Sequence, residues 1–584
     1  MKARRLAFTM VAAAGISGFV RAQAPTASSI AVREAGDAYL ERLKDSSLDL
    51  RMELGLPIEQ LPDLSLAQEE RDAAFAKDWL ARLERADPTQ LDHEESLSLD
   101  VLRRQLGQLA DAPRLYWFYF PVTPYTSPIG TVNRAFATFP ITDAAAADRY
   151  LALLKKHSAF VAAIQARLQG QASRGIRIPR PELDVVVPFL RSLIGGASSP
   201  YTVAPDRLGG LSPDGARAFQ QRLAAVIEME VNPPLSRLVE WLDGAYRQQA
   251  PAEVGFSQYP GGLEFYTWQV RWHTTLDVGP EEVHRVGLAR VEAIETRMRE
   301  VRERLGFKGT KAEFKRFLRT DPRFFPRTPD EIGERLMSHV RRIEPKVDAF
   351  FLRKPKAPYG VSRLEPELEP GRTFGYYQPP TATNPVGSYR FNGSNLADRS
   401  LLNAAALIYH ELVPGHHFQI NLATENQAIP AFRRQTFDTA YTEGWGEYAS
   451  ELAEEMGMYS DPYDLYGRLA MDMFVSTRLV VDTGMNGLGW SRARALEFMD
   501  DHLLETGTQL ATESLRYSCD VPGQALAYKM GALRIRELRE RARAALGPRF
   551  DVRRFHEAVL GSGSLPMTAL ARHVDWFIEQ ERKR

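Results

Sequence analysis

Hydrophobic residues recur every three or four positions over most of the chain, which is the period of an amphipathic α-helix. Residues 27–242 follow this pattern between turns rich in Pro, Gly and Asp, as in the series Phe75, Trp79 and Leu83. A further helix is predicted to begin near Pro280, a residue suited to the first turn of a helix. The pattern therefore predicts a mainly α-helical protein.

One segment departs from the helical pattern. Residues 354–393 contain seven prolines and short alternating runs of polar and apolar residues at 372–377 and 387–391. We expect a small β-sheet here, beside an active-site cleft. The mature chain is expected to form one large domain with two lobes, an N-terminal helical lobe over residues 25–260 and a second over residues 261–584.

The N-terminus has the features of a secretory signal. Basic residues precede the apolar run 6–20, and Ala22 and Ala24 place small side chains where a signal peptidase reads them. The apolar run is short for a membrane span. We therefore predict that residues 1–24 are a signal peptide and that the protein is exported, either to the periplasm or out of the cell.

Composition narrows the range of functions. The 74 basic residues balance the 74 acidic ones, so neither nucleic acid nor an anionic membrane surface is expected as a partner. Cys519 is the only cysteine, which excludes a disulfide framework and a cysteine-based zinc site. With no cysteine at the predicted cleavage point, no membrane anchor is expected after signal cleavage. Any metal must be held by His and carboxylate side chains.

The candidate chemistry lies at His410 and Glu411, in the last turn of an apolar helix predicted over residues 401–412. A His-Glu pair on such a helix, followed closely by another His, resembles the zinc helix of metallopeptidases. In that helix the two His ligands are four residues apart and the Glu holds the attacking water.

The spacing of the histidines differs here. His416 is six residues after His410, about 240° further around an ideal helix, and His417 is about 10 Å along its axis. Neither position lets two imidazoles reach one zinc at about 2 Å. The helix must therefore be distorted at Pro414 and Gly415, and we expect His416 rather than His417 to be the second ligand.

A catalytic zinc needs a third protein ligand and one open position for water. Glu443, at the start of a predicted helix, is the candidate for that ligand. Glu447, one turn later on the same face, is the alternative, or it could accept the second N–H of a ligating His. One Zn²⁺ ion is the expected cofactor, with Mn, Co or Fe as alternatives.

Such a site predicts hydrolysis of an amide bond. Zinc acidifies its bound water, and Glu411 takes the proton and delivers it to the leaving amine. The oxyanion needs a second electrophile, for which Tyr517, Tyr528 and Lys529 are candidates.

A second group of residues is a candidate for substrate binding. Tyr389 and Arg390 lie in the alternating run at 387–391, Asn392 follows it, and all three are predicted to lie on an edge strand. An edge strand could pair with the substrate backbone by strand addition.

At these residues the sequence resembles the DUF885 family, a bacterial group of metallopeptidase-like proteins placed near the zinc gluzincins. The resemblance covers roughly residues 35–580, and its motifs lie at 272–275, 410–419, 443–445 and 522–528. It implies a gluzincin-like helical fold.

The same resemblance implies site residues. It places a zinc ion at His410, His416 and Glu443 and makes Glu411 the general base. The substrates of the family are poorly defined, so the resemblance does not identify what is cut.

Three functions follow as hypotheses. The first is a zinc peptidase that cuts short peptides in a helical cleft. The second is a zinc amidase for a non-peptide amide. The third is a helical binding protein with a structural metal or none. A closed site with four protein ligands would favour the third, and an open coordination position would favour the first two.

Overall fold

The computed structural model describes residues 25–123, 125, 127–195, 199–365, 369, 375–381 and 384–584. The predicted signal peptide, residues 1–24, lies outside the described residues, as do residues 372–374 of the alternating run at 372–377. None of the described helices is both long and apolar enough to cross a membrane.

The described chain is mainly α-helical with one small sheet, which confirms the predicted fold class. The helix predicted to begin near Pro280 does so and ends at Arg304. The helices before the sheet are α1 Ala27–Ser46, α2 Leu48–Glu53, α3 Leu66–Leu83, α4 His93–Leu115, α5 Pro128–Thr138, α6 Ala144–Lys155, α7 His157–Ala172, α8 Arg180–Ser192, α9 Pro213–Val226, α10 Asn232–Trp241, α11 Arg247–Gln249, α12 Gly262–Thr274, α13 Pro280–Arg304, α14 Lys311–Thr320 and α15 Pro329–Ile343.

The sheet and the C-terminal helices carry most of the candidate site. Its strands are β1 Tyr359–Arg363, β2 Tyr376–Gln378 and β3 Gly387–Phe391. The helices after the sheet are α16 Ala404–Glu411, α17 His416–Glu425, α18 Ala431–Arg434, α19 Thr439–Glu455, α20 Pro462–Gly487, α21 Arg492–His502, α22 Gly507–Leu515, α23 Leu526–Leu546, α24 Val552–Gly561 and α25 Met567–Lys583.

The strand order corrects one prediction. Strand β3 lies in the middle of the sheet, parallel to β1 and antiparallel to β2, with Tyr389 opposite Val361 and Tyr377. Tyr389 and Arg390 are therefore not on an edge strand. The alternating pattern identifies β3 as a strand, but it carries no information on whether one or both sides are paired.

Buried apolar side chains form three clusters among the described residues. One consists mainly of residues from the N-terminal helices, α2 to α13. Another joins helices α1, α3 and α4 with α15, the sheet, helices α16 to α19 and helices α23 to α25. The third lies where α13, α14 and α20 to α22 meet. The division into two lobes at residue 260 stays a prediction.

Helix α19 approaches two neighbouring helices closely because it carries one glycine toward each of them. A Cβ on Gly444 would lie 2.6 Å from the backbone of Gly531 in α23. A Cβ on Gly446 would lie 2.7 Å from the imidazole ring of His410 in α16. Real Cβ atoms do not come so close to other heavy atoms, so both positions need glycine at this helix spacing. These contacts set the distance of α19 from the helix that carries His410.

We predict that Gly444→Ala lowers the free energy of unfolding by about 1–3 kcal/mol, because the new methyl group meets backbone atoms that cannot rotate away. Gly107→Ala in α4 is the matched control, since a Cβ there meets nothing within 4 Å. Its stability should stay unchanged or rise slightly. Urea unfolding of both variants measures the effect, and equal stabilities would show that the α19–α23 spacing is not constrained at Gly444.

Candidate metal centre

The helix predicted over residues 401–412 is α16, and the helical backbone is interrupted directly after it, as the histidine spacing requires. Helix α16 ends at Glu411 and α17 begins at His416, with a cis peptide bond between Val413 and Pro414. A Cβ on Gly415 would overlap the carbonyl group of His410. Trp445 of α19 donates a hydrogen bond of 2.9 Å to the Pro414 carbonyl. The turn is therefore held from outside by α19.

The interruption brings three side chains together. The Nε2 atoms of His410 and His416 lie 3.4 and 3.3 Å from one carboxylate oxygen of Glu443. The two imidazole rings are nearly perpendicular, at 87°, with centroids 4.7 Å apart. Each of the three residues offers a ligand atom within 4.8 Å of the others, and no other group of three potential ligands meets this condition among the described residues.

Two of the three distances between these atoms fit a tetrahedral ion. Zinc bonds His nitrogen and carboxylate oxygen at about 2.0–2.1 Å, so tetrahedral geometry separates its ligand atoms by about 3.3–3.4 Å. The observed distances from Glu443 to His410 and His416 are 3.4 and 3.3 Å. The Nδ1 atoms of both histidines are buried without a hydrogen-bond partner among the described residues. The donor set is that of a catalytic rather than a cysteine-rich structural zinc site.

The charges of the group suit a cation. Burial alone would raise the pKa of Glu443, but hydrogen bonds from His410 and His416 hold it well below its usual range. Burial alone would lower the pKa of His416, but its hydrogen bond to Glu443 raises that pKa above the usual value. Glu443 therefore remains an anion between two imidazoles, where a metal ion can replace the shared protons.

Glu411 lies beside this group, in the last residue of α16. Its side chain is partly exposed. Burial raises the pKa of the Glu411 carboxyl, although the two histidines and the backbone N–H of Tyr377 partly offset this. A carboxylate with a raised pKa is a better proton acceptor, which is the property that a general base needs.

The two candidate tyrosines differ in position. The ring of Tyr528 stacks on His410 at 6.1 Å with an interplanar angle of 17°, and the residue is partly exposed. Tyr517 is buried, and its hydroxyl is bonded to Glu513 and Arg478. Of the two, the structure brings Tyr528 to the metal centre, and Tyr517 is already satisfied by other partners.

Glu447 and Lys529 lie outside the group of potential ligands. Oε1 of Glu447 accepts bonds from Arg468 at 2.7 Å and from Lys529 at 2.9 Å. The Lys529 ammonium also lies 2.7 Å from Asp472. These fully buried charges neutralise one another and join α19, α20 and α23.

His417 is bonded to the sheet and its approach, and it is not one of the grouped potential ligands. Its Nδ1 lies 2.9 Å from the Tyr377 hydroxyl, and its Nε2 lies 3.1 Å from the Ala357 carbonyl. Asn421, one turn along α17, also donates to the Tyr377 hydroxyl. His417 thus connects α17 to strand β2.

The remaining substrate-binding candidates are at different distances from the centre. Tyr389 is buried, and both burial and the charge of Glu411 raise the pKa of its hydroxyl. Arg390 is bonded to Glu365, and Asn392 donates to the Glu369 carbonyl. Of the three, Tyr389 is the one whose hydroxyl pKa is raised by the charge of Glu411.

Sequence reasoning missed two contributors to the site. The backbone N–H of Tyr377 lies close enough to Glu411 to lower the pKa of its carboxyl, so strand β2 lies near the candidate metal centre. Gly446 packs against the imidazole ring of His410. The glycines on either side of Trp445 were a readable signal for a close helix contact, whereas nothing in the sequence near Tyr377 indicates its partner.

A cavity of about 320 Å³ lies between α16, the sheet and α20. Ala404 and Leu407 line it from α16, the helix that ends in Glu411, and Tyr389 lines it from the sheet. Leu407 is one helical turn before Glu411, so the cavity runs along the helix that leads to the candidate metal centre.

The family described as "Bacterial protein of unknown function (DUF885)" matches residues 50–574, and the chain therefore belongs to it. No curated protein matches the chain.

Two solved structures share the fold. The "putative lipoprotein" from Colwellia psychrerythraea is 25% identical, with a TM-score of 0.86 over 95% of this chain and 100% of that chain. A "putative lipoprotein of unknown function" from Shewanella oneidensis is 16% identical, with a TM-score of 0.68 over 93% of this chain and 99% of that chain.

We predict that His410→Ala abolishes stoichiometric zinc binding, because it removes one of three ligands, and that His417→Ala retains it. His417 is the matched control, since it is buried nearby and bonded to other partners. Chelator-treated protein is reloaded with zinc, desalted and analysed for bound metal. One equivalent retained by His410→Ala, or none by His417→Ala, would contradict the ligand assignment.

Proposed function

We propose that this DUF885 protein is an exported, metal-dependent hydrolase of peptide bonds in short peptides, with a gluzincin-like site. The observation that supports it most is the convergence of His410, His416 and Glu443 beside the partly exposed Glu411, with both histidines at a tetrahedral distance from the Glu443 carboxylate. Zinc is the metal proposed, because two imidazoles and one carboxylate are its usual catalytic ligands. When bound, it would polarise the scissile carbonyl and acidify water.

Glu411 would act as the general base and then as the general acid. It takes a proton from the attacking water and passes it to the leaving amine. The raised pKa of its carboxyl and its partial exposure both support this role.

Tyr528 would supply a hydrogen bond to the developing oxyanion. Burial and the charge of Glu443 raise the pKa of its hydroxyl, so it stays protonated and can donate. Tyr517 is not given this role because Glu513 and Arg478 already bind its hydroxyl.

The substrate backbone would lie along strand β2 rather than β3. Strand β2 is an edge of the sheet, and the N–H of its central residue, Tyr377, lies close enough to Glu411 to lower the pKa of its carboxyl. A peptide adding to this edge would run past the general base. The cavity next to Leu407 and Tyr389 would then receive one of its side chains.

Two alternatives remain. A zinc amidase for a non-peptide amide would use the same residues, and the substrate test below separates it. A non-catalytic protein with a structural metal is less consistent with the site. Structural zinc sites have four protein ligands, whereas the described residues bring only three together.

Export is proposed from two observations. The sequence pattern of residues 1–24 is that of a signal peptide. The two solved relatives are described as "putative lipoproteins", a class of exported proteins.

We predict that Glu411→Gln retains zinc but lowers the turnover of short peptides by at least about 10²-fold, because the general base is lost. Glu497→Gln, an exposed change on α21, is the control and should be fully active. A library of short peptides, incubated with and without chelator and read by mass spectrometry, supplies the substrate.

Full turnover by zinc-loaded Glu411→Gln would exclude the proposed mechanism. Absence of any cleavage by the zinc-loaded wild type would exclude the peptidase and leave the amidase to be tested.

A further inference from the structure

A buried cluster of charges lies against Tyr528, the residue that also contacts His410. Arg478 of α20 and Arg516 share the carboxylate of Glu513, with distances of 3.1 and 3.2 Å to the same oxygen. The side chains of Arg478, Arg516 and Glu513 are only 9%, 6% and 4% exposed. Two buried cations therefore share one fully ionised partner, and buried charge without a counter-ion is costly.

The other acids nearby do not restore the balance. Burial raises the pKa of Glu505, Asp482 and Asp520 to about 7 each, so they are only partly ionised near neutral pH. By contrast, the two arginines hold the pKa of Glu513 below its usual value against the effect of burial. The cluster thus keeps an excess of positive charge, and an anion would stabilise it.

Arg478 has a donor to spare for that anion. Its Nε donates to the Tyr517 hydroxyl at 2.8 Å, and its Nη2 donates to Glu513 at 3.1 Å. No described residue accepts a hydrogen bond from Nη1, and this nitrogen is not among the sealed, unpartnered atoms of the interior. Nη1 is therefore free to bind a group that enters from outside.

The position of Arg478 links this donor to the metal centre. Its guanidinium lies 4.7 Å from the Tyr528 ring, which in turn lies 6.1 Å from the His410 ring. These two distances put the guanidinium within about three extended residues, at about 3.4 Å each, of the metal ligand. Ala470, two turns earlier on α20, lines the cavity beside Glu411. The same face of α20 thus runs from the cavity to Arg478.

We propose that Arg478, supported by Arg516, binds the C-terminal carboxylate of the substrate, so that the enzyme removes one or two residues from the C-terminus of a peptide. This inference rests on the proposed peptidase function and specifies its substrate class. Arginine suits the task because its planar donors match a carboxylate and form charge-assisted hydrogen bonds.

Matched peptide pairs test the proposal. Tripeptides and tetrapeptides are made once with a free C-terminal carboxylate and once with a C-terminal amide, and kcat/KM is measured for each. The wild type should prefer the free acid by about 10- to 100-fold, the worth of a hydrogen bond between charged groups. Arg478→Gln should lose this preference, mainly through a higher KM for the acid. Arg478→Lys should keep part of it, and Arg494→Gln, an exposed change on α21, should keep all of it.

Equal turnover of acid and amide by the wild type would overturn the carboxylate site and leave the peptidase standing. Should neither peptide be cut, the proposed function fails, and binding decides the present proposal separately. Calorimetry with Glu411→Gln should show tighter binding of the acid than of the amide, and equal affinities would reject the role of Arg478. The wild-type ratio and Arg478→Lys decide the matter even if Arg478→Gln does not fold.

Discussion

The interruption of the backbone between Glu411 and His416 is the constraint on which the rest of the site depends. A continuous helix would point His410 and His416 in different directions. Ending α16 at Glu411 and starting α17 at His416 allows both imidazoles to face Glu443. The same ending leaves Glu411 at the terminus of its helix, beside the ligands yet partly exposed.

Helix α19 makes this arrangement possible from the opposite side. It supplies Glu443 to the two histidines, and its Trp445 is bonded to the turn that separates them. Gly446 lets the His410 ring lie against the helix, and Gly444 lets α23 approach from behind. The four residues 443–446 thus supply one candidate metal ligand, one hydrogen bond to the turn and two close helix contacts.

How far the sequence predicts this structure depends on whether a feature is local. The helix break follows from helix geometry once His410 and His416 are assumed to share a metal, because six residues of continuous helix cannot return a side chain to the same point. Glu443 and Glu447 share one helix face, so pattern alone could not show that Glu447 pairs with Arg468 and Lys529. Strand partners are equally non-local, which is why β3 was wrongly predicted to be an edge.

The motif at residues 522–528 acquires a physical role from the structure. Gly523 has φ +82°, which favours glycine, and its N–H donates to the buried Asp482 carboxylate at 3.0 Å. This bond fixes the start of α23 against α20. Tyr528 then falls on the His410 ring, and Lys529, the next residue, points into the buried charges around Glu447. Because α20 also carries Arg478, the same anchor fixes the distance between the candidate metal ligands and the guanidinium that lies against Tyr528. A substrate bound at both places, as proposed above, would have to match a length set by the α20–α23 contact.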